Sequence, residues 1–275
     1  MKYFNLFICV YSLAVGTNAQ SLSDMVTLDK IDQILYYDYR FCEIAGDAAT
    51  VKLVPMQLQI GAQGSRFCSS MRADRDSLIV AHEQLPIEQG FAIIWPQIKN
   101  MQSHLYVKYN IFKHYPERGK MQFFDSRNKN NYLVEEDIQF DWQIHPERDT
   151  TILNLRCLKA TTTYGGRDYI AWFAPDIPIS DGPYKFCGLP GIIVRIADTK
   201  NEHIFELQGA RYDVNQPMYY STTPTTRLSP KGYVKAFNEH MAENVNLAKD
   251  LIQDPETRAK SVRRLKSLNN LIERY

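Results

Sequence analysis

Cysteine and histidine are the residues of this chain best suited to chemistry, and each set depends on the fold to become a site. Cys157 or Cys187 beside a histidine is the best nucleophile that the sequence offers, because a thiol needs a nearby base to be activated. Four histidines lie far apart in the sequence and can share a metal or acid–base site only through the fold: His104, His114, His145 and His203. Scattered histidines of this kind are usually solvated or structural, so we assign no catalytic residue, metal site or cofactor.

The motifs of four common enzyme classes are missing. A zinc-protease helix needs two histidines four residues apart, but His82-Glu83 is followed by Leu85 and Pro86. The sequence also has no Gly-x-Ser-x-Gly nucleophile elbow, no phosphate-binding Gly-x-x-x-x-Gly-Lys loop and no Cys-x-x-Cys redox pair. An envelope hydrolase or redox enzyme that uses a cysteine and a histidine therefore remains only the alternative function.

The N-terminus has the layout of a secretory signal peptide in residues 1–19. Lys2 precedes an apolar stretch from Tyr3 to Val15, and the region ends in the small and polar residues Thr17-Asn18-Ala19. That stretch is shorter than the roughly 20 residues of a bilayer span, and no other segment approaches this length. We expect cleavage after Ala19 and a periplasmic mature chain that does not span the membrane, with association to the outer membrane left open.

Four cysteines remain after cleavage, and an oxidising compartment favours pairing them. We expect at least one disulfide, with Cys157–Cys187 preferred and Cys42–Cys68 as the remaining pair. The alternative is that some of these cysteines are buried thiols that pack as small hydrophobic side chains.

Apolar residues alternate with polar ones along five stretches, which is the pattern of strands with one buried face. These stretches are Gln33–Ile44, 56–60, 105–111, 153–157 and 169–173. Polar breaks separate them at hairpin-like intervals, for example Gly165-Gly166 and Asp181-Gly182-Pro183, so we expect an antiparallel sheet. The predicted fold is mainly β, of α+β type, with a curved antiparallel sheet, packed helices such as one over Ala73–Leu85, and a C-terminal helical hairpin.

The last fifth of the chain changes from strand to helix patterns. The polar run 221–228 indicates a linker between a β-rich domain over 20–220 and a helical segment over 229–275. Ser229-Pro230 and Asp254-Pro255 are helix-start signals, and each precedes an apolar stripe at steps of three and four residues. The second helix carries several basic residues, which suit either an anionic surface or a solvated face.

The most distinctive segment, Thr161–Leu207, contains Gly188-Leu189-Pro190-Gly191-Ile192-Ile193. It resembles the signature of the GLPGLI family of exported proteins from Bacteroidetes, with Ile192 in place of the signature leucine. Further matching positions extend the resemblance over about residues 136–210, among them Trp142, Cys157, Arg167, Trp172 and Gly182-Pro183-Tyr184-Lys185-Phe186. The resemblance implies an exported protein, but it supplies no catalytic or binding residues because the family has no established activity.

The same segment provides the candidate binding residues. Gly188, Leu189, Pro190 and Gly191 suit a tight turn, and glycines there would also let a ligand or partner backbone approach closely. Trp142 and Trp172 are either core aromatics or a ligand platform, and Arg167 is either a surface residue or an anion contact.

Together these features favour a binding, carrier or assembly component of the cell envelope over an enzyme. A sheet with one wet face can curve around an apolar or peptide ligand, and an outer-membrane protein is the other expected partner. The formal net charge of +1 argues against a dedicated nucleic-acid surface, which would need a strong cationic excess.

Overall fold

A computed structural model describes residues 24–102, 107–127 and 130–274. The predicted signal peptide and His104 lie outside these residues. None of the described helices is both long enough and apolar enough to cross a bilayer.

Within the described residues, thirteen strands form a single open sheet in the order β13-β6-β5-β4-β3-β2-β1-β11-β10-β9-β8-β7, with β12 paired to β1. The strands are β1 Met25–Cys42, β2 Val51–Gly61, β3 Ser65–Ser69, β4 Asn110–Lys113, β5 Lys120–Arg127, β6 Asn130–Asp137, β7 Gln143–Ile152, β8 Leu155–Tyr164, β9 Arg167–Ala174, β10 Ile192–Asp198, β11 His203–Arg211, β12 Gln216–Ser221 and β13 Thr226–Leu228. The pairing is antiparallel except where β13 runs parallel to β6. This confirms the predicted antiparallel sheet.

Four helices accompany the sheet: α1 Ser70–Ala81, α2 Ile87–Gln102, α3 Pro230–Leu251 and α4 Pro255–Ser267. The two C-terminal helices begin where the capping signals predict, since Ser229 accepts from the Gly232 amide and Asp254 from the Thr257 amide. Pro230 and Pro255 occupy first-turn positions, where a missing N–H costs nothing. The predicted C-terminal helical pair is therefore confirmed. The polar run before it contains β13, which joins the edge of the sheet.

The sequence analysis did not predict helix α2. Phe91 and Trp95 stack with ring centroids 5.1 Å apart, yet both are exposed, whereas Ile94 is buried. The sequence signal for this helix is mixed: Phe91, Ile94 and Trp95 recur at steps of three and four residues, but Pro96 lies inside the helix, where proline is unfavourable.

One face of the sheet holds the main core, because alternate residues of each strand point to the same side. Leu35, Tyr37 and Tyr39 of β1 share this core with residues of β2 to β5 and β9 to β11. The connection between β9 and β10 also packs here. Its Gly182 carbonyl accepts from the Lys113 ammonium at 2.5 Å, although β4 lies five inter-strand spacings from β10, about 24 Å along the sheet. The family-like segment therefore crosses the core face.

The four described cysteines are free, buried thiols, and neither expected disulfide is formed. In the sheet register, Cys42 lies opposite Val51 of β2, whereas Cys68 lies opposite Gln57 of the same strand. Six residues of extended strand separate these positions by about 20 Å, well beyond the reach of roughly 7 Å between the Cα atoms of a disulfide. The even cysteine count thus reflects core packing, the alternative that the sequence left open.

Candidate functional site

A cleft of about 360 Å³ opens between the core face of the sheet and the C-terminal helical region. Its floor is aromatic because odd-numbered residues of β1 and β5, and the residue just before β4, point to this side: Tyr39, Phe41, Phe123 and Tyr109. The Tyr39 ring stacks on Phe205 with centroids 4.2 Å apart and on Phe41 at 4.8 Å. Stacked rings of this kind give the cleft a firm apolar wall.

Helix α3 and the chain after α4 form the opposite wall. Tyr233, Phe237 and Met241 recur at four-residue steps, so they share one face of α3, and all three line the cleft. Leu268, Leu271 and Ile272 complete the wall from the segment that follows α4. The apolar stripe predicted for the first C-terminal helix, α3, therefore borders a cavity as well as the core.

Ion pairs fasten that second wall to the sheet. Arg167, with a side chain 4% exposed, lies 2.7 Å from an Asp198 oxygen and 3.0 Å from a Glu202 oxygen, and it also donates to the Leu271 carbonyl at 2.6 Å. Lys185 lies 2.7 Å from Glu273. Because charges buried this deeply are costly unless paired, these contacts hold the C-terminal segment in one place.

The cleft contains polar atoms in an apolar setting. The Tyr109 hydroxyl is buried and has no hydrogen-bond partner among the described residues, and burial raises the pKa of this phenol well above its usual value. It therefore stays protonated and can donate to a bound molecule. The Tyr184 hydroxyl, by contrast, donates to the Glu273 carboxylate and is already satisfied.

His203 lies at one end of the cleft as a neutral imidazole. Its Nδ1 is 2.8 Å from the Tyr39 hydroxyl, and the ring is 1% exposed. Burial, followed by the nearby Arg167 charge, lowers the pKa of His203 to about 3. This histidine is consequently uncharged at neutral pH and forms part of the cleft wall as a polar but uncharged group.

The thiols are poorly placed for nucleophilic chemistry. Cys187 is 1% exposed, and burial raises its pKa to about 12, while burial also raises the pKa of Cys157. A nucleophilic cysteine requires the thiolate and access to solvent, which burial opposes. Among the described residues, no group of three or more His, Cys, Asp and Glu is placed to hold a metal ion.

The candidate residues of the family-like segment lie beside the cleft, not in it. The Trp142 indole donates to the Cys187 carbonyl at 2.8 Å, and Leu189 is 1% exposed. Gly188 adopts φ +93°, and a Cβ at Gly191 would lie 2.3 Å from the Ala174 carbonyl oxygen. The turn Gly188-Leu189-Pro190-Gly191 thus forms a corner in which Leu189 and Gly191 are buried and Gly188 and Pro190 are exposed. Trp172 lies in β9 opposite Lys159, and Arg167 holds the chain end, as described above.

Sequence reasoning did not assemble the cleft. Tyr39 and Tyr109 fell within predicted strands, and Phe237 and Met241 within a predicted helical stripe, so the apolar character of each element was readable. Their convergence depends on β1 pairing with β11 and on the return of the chain end to the sheet. No local pattern encodes such long-range contacts.

The fold and the cleft define a class: an α+β protein in which an open antiparallel sheet and a C-terminal helical pair enclose an apolar cavity. Residues 165–195 match the family model described as "Protein of unknown function (Porph_ging)", the GLPGLI family that the sequence resembles. This match confirms the predicted resemblance over β9, β10 and their connection.

Other comparisons are more distant. No curated protein matches the chain. Two solved structures of PNGF-II, in space groups P21 and C2, are similar at 9% and 10% identity, each with a TM-score of 0.47 over 77% of this chain. The match spans 34% and 33% of those chains, so this chain corresponds to about a third of their length.

Proposed function

We propose that this chain is an exported binding or carrier protein of the cell envelope that holds a small, largely apolar molecule in the cleft between the sheet and α3. The observation that carries the proposal is the aromatic cavity with the unpartnered Tyr109 hydroxyl. Its volume of about 360 Å³ lies within the range of about 300–1,000 Å³ that is typical of small-molecule sites.

The chemistry of the walls defines the ligand class. Stacked and edge-on aromatic rings suit a flat or branched apolar body, and one buried hydroxyl suits a single acceptor such as a carbonyl or ether oxygen. The N-terminal signal pattern and the family resemblance support export to the periplasm.

The test uses the mature chain, residues 20–275, and the neutral fluorescent probe N-phenyl-1-naphthylamine. Val234 is half-buried on the α3 wall, so Val234→Trp fills the cleft without removing a core side chain. Leu247→Trp places the same ring on an exposed position of α3, where Leu247 is 47% exposed, and serves as the matched control.

We expect the wild-type chain and Leu247→Trp to bind the probe alike and Val234→Trp to bind it at least about tenfold more weakly, equivalent to about 1.4 kcal/mol. Mass spectrometry of protein purified from its native envelope would then identify the natural occupant. Failure of the wild-type chain to bind, or equal binding by Val234→Trp, would reject the proposal.

A further inference from the structure

A second cavity, of about 500 Å³, lies against the other face of the sheet. Even-numbered residues of β3 and β4 point there, opposite to the core residues Phe67 and Ile111. Arg66, Asn110 and Phe112 line this cavity. The surface is unusual because the buried side chains on this face of the sheet are largely polar, including Gln57, Gln59, Arg66, Asn110 and Gln122.

The base of this cavity is a fixed network. Arg66, with a side chain 2% exposed, pairs with Asp76 of α1 and donates from Nε to the Asn110 amide oxygen at 3.0 Å. The other oxygen of Asp76 lies 3.2 Å from Nε of Arg72. One carboxylate therefore faces two guanidinium groups, and it cannot neutralise both.

Two further cations increase the imbalance. Arg75 and Lys108 also line the cavity, and neither forms an ion pair with any described residue. Burial and the neighbouring Arg72 charge lower the pKa of Arg75, and the Asp76 charge opposes this only in part. The second carboxylate of the lining, Asp125, is engaged by Arg127 at 2.5 Å and by the Tyr233 hydroxyl at 2.6 Å.

Neutral donors surround the cations at the rim. Hydroxyl and amide side chains come from β5, β6, β12 and the chain that follows it: Ser126, Asn131, Tyr219, Ser221, Thr223 and Thr225. Guanidinium and ammonium groups combined with hydroxyl donors match the oxygen atoms of a tetrahedral dianion.

We propose that this cavity is a binding site for a phosphate- or sulfate-bearing ligand, held by Arg72, Arg75 and Lys108. Arg66 and Asp76 hold these cations in place and do not contact the ligand themselves. Lys108 borders both this cavity and the apolar cleft, whereas Arg72 and Arg75 line this cavity and not the cleft, so these two arginines distinguish the site from the apolar one.

The test is isothermal titration of the mature chain, in an oxyanion-free buffer, with inorganic phosphate, inorganic sulfate and acetate. We expect saturable binding of phosphate or sulfate that weakens as salt is added, and acetate binding at least about tenfold weaker because one negative charge meets the same cations. Glucose 6-phosphate forms a fourth arm: tighter binding than inorganic phosphate would identify an organic monoester as the ligand, and equal or weaker binding the free ion.

Arg75→Gln removes one cation and leaves the Arg66–Asp76 pair intact, so it should keep the fold and lose at least about tenfold in affinity for the dianion. Lys108→Gln is the second variant, and Lys200→Gln, at an exposed turn between β10 and β11, is the matched control that should bind as the wild type. The proposal is overturned if no dianion binds at millimolar concentration, if acetate binds as tightly, or if both folded cavity variants bind as Lys200→Gln does.

Discussion

At the scale of single residues, Arg167 has the most demanding environment in the family-like segment. Its guanidinium contacts two carboxylates and a backbone carbonyl while its side chain is 4% exposed. Those contacts join β9, the β10–β11 turn and the chain end, so the residue fastens the C-terminal wall of the apolar cleft. An external anion could therefore bind Arg167 only by competing with Asp198 and Glu202 for its N–H donors.

Arg167→Ala should therefore destabilise the protein strongly, because it leaves the buried Asp198 carboxylate without its cation and Glu202 with only the partly exposed Arg274. The expected loss in the free energy of unfolding is about 3–5 kcal/mol, measured by urea denaturation. Arg156→Ala is the control, since Arg156 pairs with Asp149 on the surface, where both side chains are more than half exposed, and it should cost about 0–1 kcal/mol. Similar losses in the two variants would contradict the assigned role.

At the scale of elements, the β8–β9 hairpin and the chain end depend on each other. Gly165 and Gly166 form its two-residue turn with φ +56° and +75°, and the Arg274 amide donates to the Gly165 carbonyl at 2.5 Å. A Cβ at Gly166 would lie 2.2 Å from the Arg274 carbonyl oxygen. Glycine is thus needed here both for the backbone conformation and for the approach of the tail.

Gly166→Ala should consequently displace the chain end. Gly46→Ala is the matched control, because Gly46 has φ +78° but nothing within 4 Å of its Cβ position, so it incurs the backbone strain alone, about 1 kcal/mol. We expect Gly166→Ala to lose roughly 1–3 kcal/mol more and to speed hydrogen exchange over residues 268–274. Equal stability of the two variants, with unchanged exchange at the chain end, would show that the tail does not rest on this turn.

The same elements show what the sequence can reveal. Ser229-Pro230 and Asp254-Pro255 locate α3 and α4 because capping is a local interaction, and period-two alternation locates parts of β1, β2 and β9 because it reports one buried face. The apolar cleft could not be assembled this way. It requires Tyr39, Tyr109 and Phe237 to meet, although up to about two hundred residues of chain separate them.

At the scale of the whole molecule, the sheet separates two chemistries by its faces. One face carries the aromatic core and the apolar cleft, and the other carries the cationic cavity under α1. β-strand alternation produces this division directly, since adjacent residues such as Tyr109 and Asn110 point to opposite sides. The aromatic residues and most of the buried polar residues thus lie on opposite faces of one sheet, with Lys108 bordering both cavities.

The burial of His203 couples the stability of the whole fold to pH. Its pKa is lowered to about 3 in the folded state, against 6.5 for the free side chain, so the unfolded chain binds the proton more readily between these values. The contribution of His203 to the free energy of unfolding should thus be complete above about pH 6.5. It should decrease as the pH falls, by up to about 1.4 kcal/mol per pH unit.

Urea denaturation between pH 6.5 and 5 measures this slope in a range where most carboxylates stay ionised. His203→Asn retains a polar side chain for Tyr39 but has no titrating group, so its stability should change less with pH over this range. Burial also lowers the pKa of His114 and His240, and because these residues are present in both proteins, the difference in slope reports His203 alone. His145→Asn, at a half-exposed position in β7, is the control for the substitution itself. A His203→Asn slope as steep as the wild type would mean that the imidazole is not held neutral in the core.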